Sequence, residues 1–152
     1  AMINCYEEPE MVHIVLEKAT KFLIDYISAY KEAGADGITM INTLVGMRFN
    51  IKTGKPIIAN GTGGYSGPAI FPVALRMVHQ VSKAVKIPVI GMGGIATIND
   101  VLEFIMAGAT GIAIGTANFN NPFVMPEIIS KLTEYMKENN IETLDEIRGI
   151  VG

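Results

Sequence analysis

Two apolar runs that each end in a glycine turn constrain the fold of this chain most strongly. Residues 88–92 lead into Gly93-Gly94, and residues 111–114 lead into Gly115-Thr116. Short apolar runs closed by glycine are typical of buried strands. Turns without Cβ atoms let backbone N–H groups approach an anion closely, and a helix predicted after each turn would add the positive end of its dipole. We therefore expect a phosphate-bearing cofactor at the ends of these two strands.

The rest of the chain predicts helices and strands in alternation. A long amphipathic helix comes first, because apolar residues recur at helical spacing. Ser66 is a plausible N-cap for a later helix, and Thr97 with Asp100 predicts a capping box. The predicted elements are a helix over 8–33, a strand over 38–44, a glycine-rich loop over 45–65, a helix over 68–84, a strand from 89, a helix to about 107, a strand over 111–114, and helices over 121–139 and 143–150.

An internal echo predicts the class of fold. The segments AGADGITMINT, from Ala33, and AGATGIAIGT, from Ala107, share a helix stop, a tight turn and an apolar strand. Repeated joints of this kind predict an α/β fold of parallel βα units, with three strands and a further short one at residues 2–4. Because a closed eight-stranded barrel needs about 250 residues, one domain of 152 residues fits half of a TIM (β/α)8 barrel. A rearranged, flavodoxin-like parallel sheet is the alternative.

The composition indicates which classes of binding partner to expect. Hydrophobic residues make up 49% of the chain and charged residues only 18%, so we expect self-association through open sheet edges. The net charge of -3 and the scattered basic residues favour neither nucleic acid nor a membrane surface as a partner. The single cysteine, Cys5, favours a reducing, cytoplasmic location. No metal-ligand spacing is present in the sequence, and no metal is predicted.

Four motifs in order carry a resemblance to a known family. They are INTLVGM at Ile41, ANGTGGYSGPAIFPVALRMV at Ala59, IPVIGMGGI at Ile87 and GIAIGTANF at Gly111. From about Ala33 onward the sequence resembles the C-terminal half of the class 1 dihydroorotate dehydrogenases, most closely type B, whose catalytic subunit pairs with an iron–sulfur flavoprotein. That resemblance implies a β/α barrel that holds FMN at the C-terminal ends of its strands, and an oxidoreductase of pyrimidine biosynthesis.

The resemblance also implies site residues. Asn42 and Thr43 match the pair that binds the pyrimidine substrate. Gly54, Phe71 and Ala113 depart from the family, which commonly has arginine, lysine and glutamine there. The residues implied for the FMN phosphate are Gly67, Gly93, Gly94, Gly115 and Thr116. For this chain alone, phosphate or sulfate is the alternative occupant.

The first 34 residues do not share this resemblance. The family's catalytic loop, NxSCPN, and its VKLSP strand do not occur, so no catalytic residue is assigned, Cys5 included. The stretch from Glu7 to Gly37 instead resembles the uroporphyrinogen decarboxylase-like family, which includes the corrinoid methyltransferases. We therefore predict a chimeric or engineered half-barrel, foreign over 1–34 and dehydrogenase-like over 35–152, that keeps the FMN phosphate site with catalysis impaired or absent. The alternatives are an active fragment or homodimer and a ligand-free scaffold.

Overall fold

A computed structural model describes residues 9–152 and contains a three-stranded parallel sheet with helices packed against it. Two single turns of 3-10 helix supplement the regular elements, at Pro68–Ile70 and Leu144–Glu146. The regular elements in chain order are α1 (Pro9–Glu32), β1 (Ile38–Met40), β2 (Leu44–Gly46), β3 (Phe49–Asn50), β4 (Lys55–Pro56), β5 (Gly63–Tyr65), α2 (Phe71–Ala84), β6 (Val89–Met92), α3 (Ile98–Met106), β7 (Gly111–Ala113), α4 (Ala117–Asn120) and α5 (Val124–Glu138).

The parallel sheet has the strand order β1-β6-β7. Ile38 lies opposite Val89 in the first pair, and Ile90 lies opposite Gly111 in the second. Because the three strands run in the same direction, their C-terminal ends meet at one edge of the sheet. The turns that follow Met40, β6 and β7 are therefore neighbours, and this edge is where ligands bind in parallel α/β sheets.

The core lies between this sheet and helices α2 and α3. Its fully buried side chains include Val78 and Val81 from α2, Val89 from β6 and Phe104 from α3. The Phe104 ring occupies the space that a side chain at Gly91 would need. Burying each such side chain contributes about 1.5–3 kcal/mol to folding, so this packing fixes how α2 and α3 sit on the sheet.

Helix α1 packs on α2 along one flank only. Ile27 is buried, and the Gln80 amide donates a hydrogen bond of 3.0 Å to the Thr20 hydroxyl. The predicted amphipathic helix is confirmed over the described residues, yet Phe22 is 71% exposed and Tyr26 and Tyr30 are about half exposed. Much of the apolar stripe therefore lacks a cover within residues 9–152. No helix in this range has both the length and the apolar character to cross a membrane.

The segment from 38 to 65 differs from its prediction. The strand predicted over 38–44 stops at Met40, and β2 pairs antiparallel with β5 instead of extending β1. The predicted loop contains a second small hairpin, β3–β4, whose turn is held by the Asn50 side chain accepting from the N–H groups of Lys52 and Thr53. Strands of two or three residues are too short to show an alternating pattern, so periodicity could not reveal them.

The helix starts give one confirmation and one correction. The capping box is confirmed, since the Asp100 N–H donates to Thr97 Oγ1 at 3.3 Å and the Thr97 N–H donates to the Asp100 carboxylate at 2.8 Å. Ser66 as N-cap is wrong. Gly67 precedes the 3-10 turn, α2 begins later, at Phe71, and neither start has a side-chain cap. The predicted helix over 121–139 begins at Val124, and that over 143–150 is a single 3-10 turn.

The parallel βα organisation is thus confirmed, with strands neighbouring in chain order as in successive units of a β/α barrel. The half-barrel itself stays a prediction. The strand predicted at residues 2–4 and the thiol of Cys5 lie outside the described residues.

Candidate functional site

A cavity of about 310 Å³ opens at the C-terminal edge of the parallel sheet. Turns after β1, β5, β6 and β7 form its wall, together with the start of α5. Its size suits part of a small organic ligand. It brings together all seven residues predicted to bind ligands, which are Asn42, Thr43, Gly67, Gly93, Gly94, Gly115 and Thr116.

Packing alone explains the glycines at 93 and 94. Both have positive φ angles, +130° and +77°. A Cβ at Gly93 would lie 2.7 Å from the Ala74 Cβ, and one at Gly94 would lie 2.8 Å from the Phe71 Cβ. Any side chain would therefore push the turn away from α2, whether or not a ligand binds.

Gly115 has a different explanation. Its backbone lies outside the left-handed region, and a Cβ built on it meets nothing within 4 Å. A Cβ built on Gly67 also meets nothing within 4 Å, but the φ of 91° and ψ of -175° at Gly67 are nearly restricted to glycine. Neither packing nor backbone conformation demands glycine at 115. The missing side chain leaves the wall of the cavity open there, which fits close approach by a ligand.

The turns also carry backbone donors that face no protein acceptor. Within residues 9–152, the N–H groups of Gly93, Gly94, Gly115 and Thr116 donate no hydrogen bond. Successive free N–H groups in a concave turn form a site suited to anions. These donors are available to a bound phosphate or to water.

Two features reduce the dipole contribution predicted for the helices that follow the turns. The N–H groups of Ala96 and Thr97, just before α3, are taken by the negatively charged Asp100 carboxylate, at 2.9 and 2.8 Å. Helix α4, which follows Thr116, is only four residues long. The dipole contribution stays a prediction, offset at α3 by the Asp100 carboxylate, and the donors of the turns themselves remain.

A hydroxyl pair closes one side of the cavity. Thr116 Oγ1 donates a hydrogen bond of 2.9 Å to Ser66 Oγ. This bond joins the turn after β7 to the turn after β5. Sequence reasoning missed Ser66 as a site residue because a serine before Gly-Pro resembles an N-cap; its position next to Gly67 was the available signal.

Asn42 and Thr43 occupy the end of the site nearest β1. The Asn42 amide oxygen accepts from the Thr43 N–H at 2.7 Å and from the Thr43 hydroxyl at 3.4 Å. Its amide nitrogen has no acceptor among residues 9–152, so it is free to donate to a ligand. The Thr43 side chain packs where a side chain at Gly64 would stand, which fixes its position.

The cavity wall carries one ionisable side chain among the described residues, Glu127 at the start of α5. Asn121 Nδ2 donates to its carboxylate at 3.1 Å. Phe71, which stands where the family commonly has lysine, packs its ring on Phe104 with centroids 5.5 Å apart. An anion bound here would be held by N–H and O–H groups. No cluster of potential metal ligands occurs in the described part of the chain.

The fold and this cavity agree with the comparison to known families. The sequence model of dihydroorotate dehydrogenase matches residues 15–136. The chain belongs to the dihydroorotate dehydrogenase family.

Curated members of this family are close in sequence. The chain is 54% identical over 138 residues to the catalytic subunit of dihydroorotate dehydrogenase B (NAD(+)) from Bacillus pumilus (strain SAFR-032), covering 91% of the chain and 44% of the relative. It is 55% identical over 138 residues to the corresponding subunit from Bacillus mycoides (strain KBAB4), covering 91% and 45%. The subunit from Listeria monocytogenes serotype 4b (strain CLIP80459) is 54% identical over 137 residues, covering 90% and 45%. The chain thus spans less than half the length of these relatives.

The comparisons give no support to a foreign first segment. The dihydroorotate dehydrogenase match begins at residue 15, inside α1, and so includes more than half of the 34 residues expected to derive from a decarboxylase-like protein. The missing cysteine loop had suggested the foreign origin, but amphipathic helices share apolar spacing across families and so identify their source weakly. Most of α1 is therefore family sequence.

Proposed function

We propose that this chain is a dihydroorotate dehydrogenase-type fragment that binds FMN by its phosphate in the cavity at the sheet edge. The observation that carries the proposal is the open wall at Gly115, beside free N–H groups at Gly115 and Thr116. A fold without a ligand has no need of glycine at that position. Family membership supports FMN as the phosphate compound.

The donors of the cavity divide into two sets. The turns at Gly93-Gly94 and Gly115-Thr116 offer N–H groups to the phosphate. Asn42 offers its free amide nitrogen, and with Thr43 it would orient a pyrimidine such as dihydroorotate beside the cofactor. FMN, when bound, supplies a ring that can accept a hydride. The protein's part is to hold the two molecules in contact.

Turnover by this chain alone is expected to be slow or absent. The family's catalytic loop, which has the form NxSCPN and supplies the base, does not occur in this sequence. A positioned base contributes typically 10²–10⁴-fold to such reactions. A chimeric or engineered origin has no support in the comparisons and forms no part of the proposal.

Comparison of FMN with riboflavin tests the proposal directly. Both share the flavin ring, and only FMN has the phosphate. Fluorescence quenching should show FMN binding at least about 10-fold more tightly, because charge-assisted hydrogen bonds contribute about 1.5–3 kcal/mol each. Equal affinities would reject the phosphate site and favour a scaffold without ligand. Rapid orotate formation with an electron acceptor would contradict the expected loss of catalysis.

Self-association is a second proposal, carried by open surfaces. β1 and β7 are the edge strands of the parallel sheet, and the aromatic stripe of Phe22, Tyr26 and Tyr30 lies exposed on α1. Edge strands and large apolar patches tend to be covered by other chains. A second copy of this chain would cover both. Light scattering from micromolar samples tests this, and a monomer at all concentrations would reject it.

A further inference from the structure

Helix α1 has an exposed side whose sequence of small and large residues complements itself. Its members, which we call the α1 face, are Val15, Ala19, Phe22, Tyr26 and Tyr30. We propose that a second copy of this chain covers the α1 face with its own α1, in antiparallel orientation and across a two-fold axis near Phe22. The inference rests on the proposed self-association and adds to it the contact surface and the orientation of the two copies.

The α1 face is separate from the side of the helix that packs on α2. Ile27 is buried on that packed side, where the Thr20 hydroxyl accepts a hydrogen bond from Gln80. Because an α-helix turns by about 100° per residue, residues of the α1 face point about a quarter of a turn away from Ile27. Val15 is 60% exposed and Phe22 is 71% exposed. Helix α1 therefore has two apolar sides, and the fold of residues 9–152 buries one of them.

The aromatic part of the α1 face is already ordered before any partner binds. Phe22 stacks on Tyr26 with ring centroids 6.0 Å apart, and Tyr26 meets Tyr30 edge-on at 5.0 Å. The hydroxyls of Tyr26 and Tyr30 lie 2.8 Å apart, within hydrogen-bond distance. Side chains held in place by their neighbours lose less freedom when a partner docks, and aromatic side chains are enriched at protein interfaces. These three rings are thus suited to a protein partner.

The order of side-chain sizes favours a second copy as that partner. A two-fold dimer uses the same patch on both chains, so the patch must fit itself. In an antiparallel pair, a residue before the axis lies opposite one about equally far after it. Val15 would then lie opposite the partner's Tyr30, and Ala19 opposite the partner's Tyr26. Each large ring meets a small side chain, whereas a parallel pair would place tyrosine against tyrosine.

The charges beside the α1 face favour the same orientation. Lys18 lies four residues before Phe22 and Asp25 three residues after it, so an antiparallel pair brings each Lys18 towards the partner's Asp25. Asp25 also pairs with Lys21 of its own helix, yet its side chain stays 62% exposed. Antiparallel helices additionally place opposite dipole ends side by side. Exposed ion pairs contribute little to affinity but help to select an orientation, so loss of the Lys18 charge alone should change affinity little.

Disulfide cross-linking of the full chain tests the orientation, in a Cys5→Ser background. Two positions 15 would lie about 20 Å apart along an antiparallel pair centred on Phe22, since each residue rises 1.5 Å, and a disulfide needs Cα atoms within about 7 Å. Val15→Cys alone and Tyr30→Cys alone should therefore give no cross-linked dimer on mild oxidation. The double variant, Val15→Cys with Tyr30→Cys, should give one, because position 15 of each copy meets position 30 of the other. In non-reducing electrophoresis, dimer from either single variant would indicate a parallel pair and overturn the proposal.

A surface control tests whether α1 is the interface. Ile51, in the turn between β3 and β4, is 96% exposed, more than any residue of the α1 face. Ile51→Gln should leave association unchanged by light scattering, whereas Phe22→Gln should weaken it. The reverse result would place the interface on the hairpin and overturn the proposal.

The outcomes separate this inference from the proposed self-association. An unmodified chain that stays monomeric at all concentrations rejects both. A chain that associates while the double cysteine variant forms no disulfide keeps self-association and overturns the antiparallel α1 pair. Thermal unfolding of each variant verifies that it is folded.

Discussion

Gly94 lies so close to Gly67 that a Cβ on Gly94 would stand 2.9 Å from the Gly67 carbonyl oxygen. The same Cβ would lie 2.8 Å from the backbone nitrogen of Phe71, at the start of α2. Two backbone segments, after β5 and after β6, thus touch without an intervening side chain. Both glycines line the cavity, so this contact forms part of its wall.

Gly94→Ala should therefore lower stability, with or without ligand. Both a strained backbone and an overpacked contact contribute, each of about 1–3 kcal/mol. Gly54→Ala is the matched control, because Gly54 also has a positive φ, of 67°, but no atom within 4 Å of its Cβ position. Urea unfolding should show a clearly larger loss for Gly94→Ala. Equal losses would mean that strain alone, and not the contact, matters.

Gly115→Ala, unlike Gly94→Ala, should leave stability unchanged and weaken FMN binding. A methyl group there meets no protein atom but narrows the approach to two free N–H groups. We expect at least about a 10-fold loss of affinity, as for one lost charge-assisted hydrogen bond. Gly111→Ala is the control in the same unit, since its Cβ would make an ordinary contact of 3.5 Å with Ile90, outside the cavity. Unchanged FMN binding by Gly115→Ala would remove the main support for the phosphate site.

Asp100→Ala should destabilise the chain by about 1 kcal/mol, the usual effect of losing a helix cap. The Asp100 carboxylate accepts from the N–H groups of Ala96 and Thr97, and both would lose their partner. Asp36→Ala serves as control, because Asp36 is exposed and its side chain makes no hydrogen bond within residues 9–152. Denaturant midpoints compare the two variants. A loss as small as that of Asp36→Ala would show that water replaces the capping carboxylate.

Phe22→Gln should reduce self-association. Phe22 is 71% exposed and stacks on Tyr26, so it is the most open member of the aromatic stripe. Burying a Phe side chain contributes about 1.5–3 kcal/mol, which corresponds to roughly a 10- to 100-fold weaker dimer when it is lost. Lys18→Gln changes an exposed residue of the same helix and should have little effect. Sedimentation or light scattering over a range of concentrations measures both.

Tyr26→Phe should lower the pKa of Tyr30. The hydroxyls of Tyr26 and Tyr30 lie 2.8 Å apart, and this hydrogen bond is the main cause that raises the pKa of Tyr30 above its ordinary value of 10.0. Because the neutral form is favoured, the associated stability is present below pH 10.0 and is lost as pH rises through the raised pKa. Absorbance of tyrosinate during an alkaline titration measures the change. A Tyr30 pKa that stays the same in Tyr26→Phe, after the absorbance of the lost Tyr26 phenol is subtracted, would contradict the assigned cause.

Local sequence patterns predicted several elements correctly. The spacing of apolar residues predicted the C-terminal end of α1 within one residue, and Thr97 with Asp100 predicted the capping box. These features depend on neighbours within about one turn of helix, so the sequence contains the whole physical cause. The strands over 44–65 escaped prediction because two or three residues are too few to show an alternating pattern, and because β2 pairs with β5, which lies much later in the chain.

The sequence by itself determined the glycine turns at the ends of parallel strands, and with them the expectation of a phosphate site. Only the tertiary structure decided what each glycine is for. Gly93 and Gly94 are required by the approach of α2, whereas Gly115 faces open space. The tertiary structure also shows that Ser66 caps no helix and instead forms a hydrogen bond with Thr116, 50 residues later. Such roles depend on distances between segments remote in the chain, and no local pattern contains those distances.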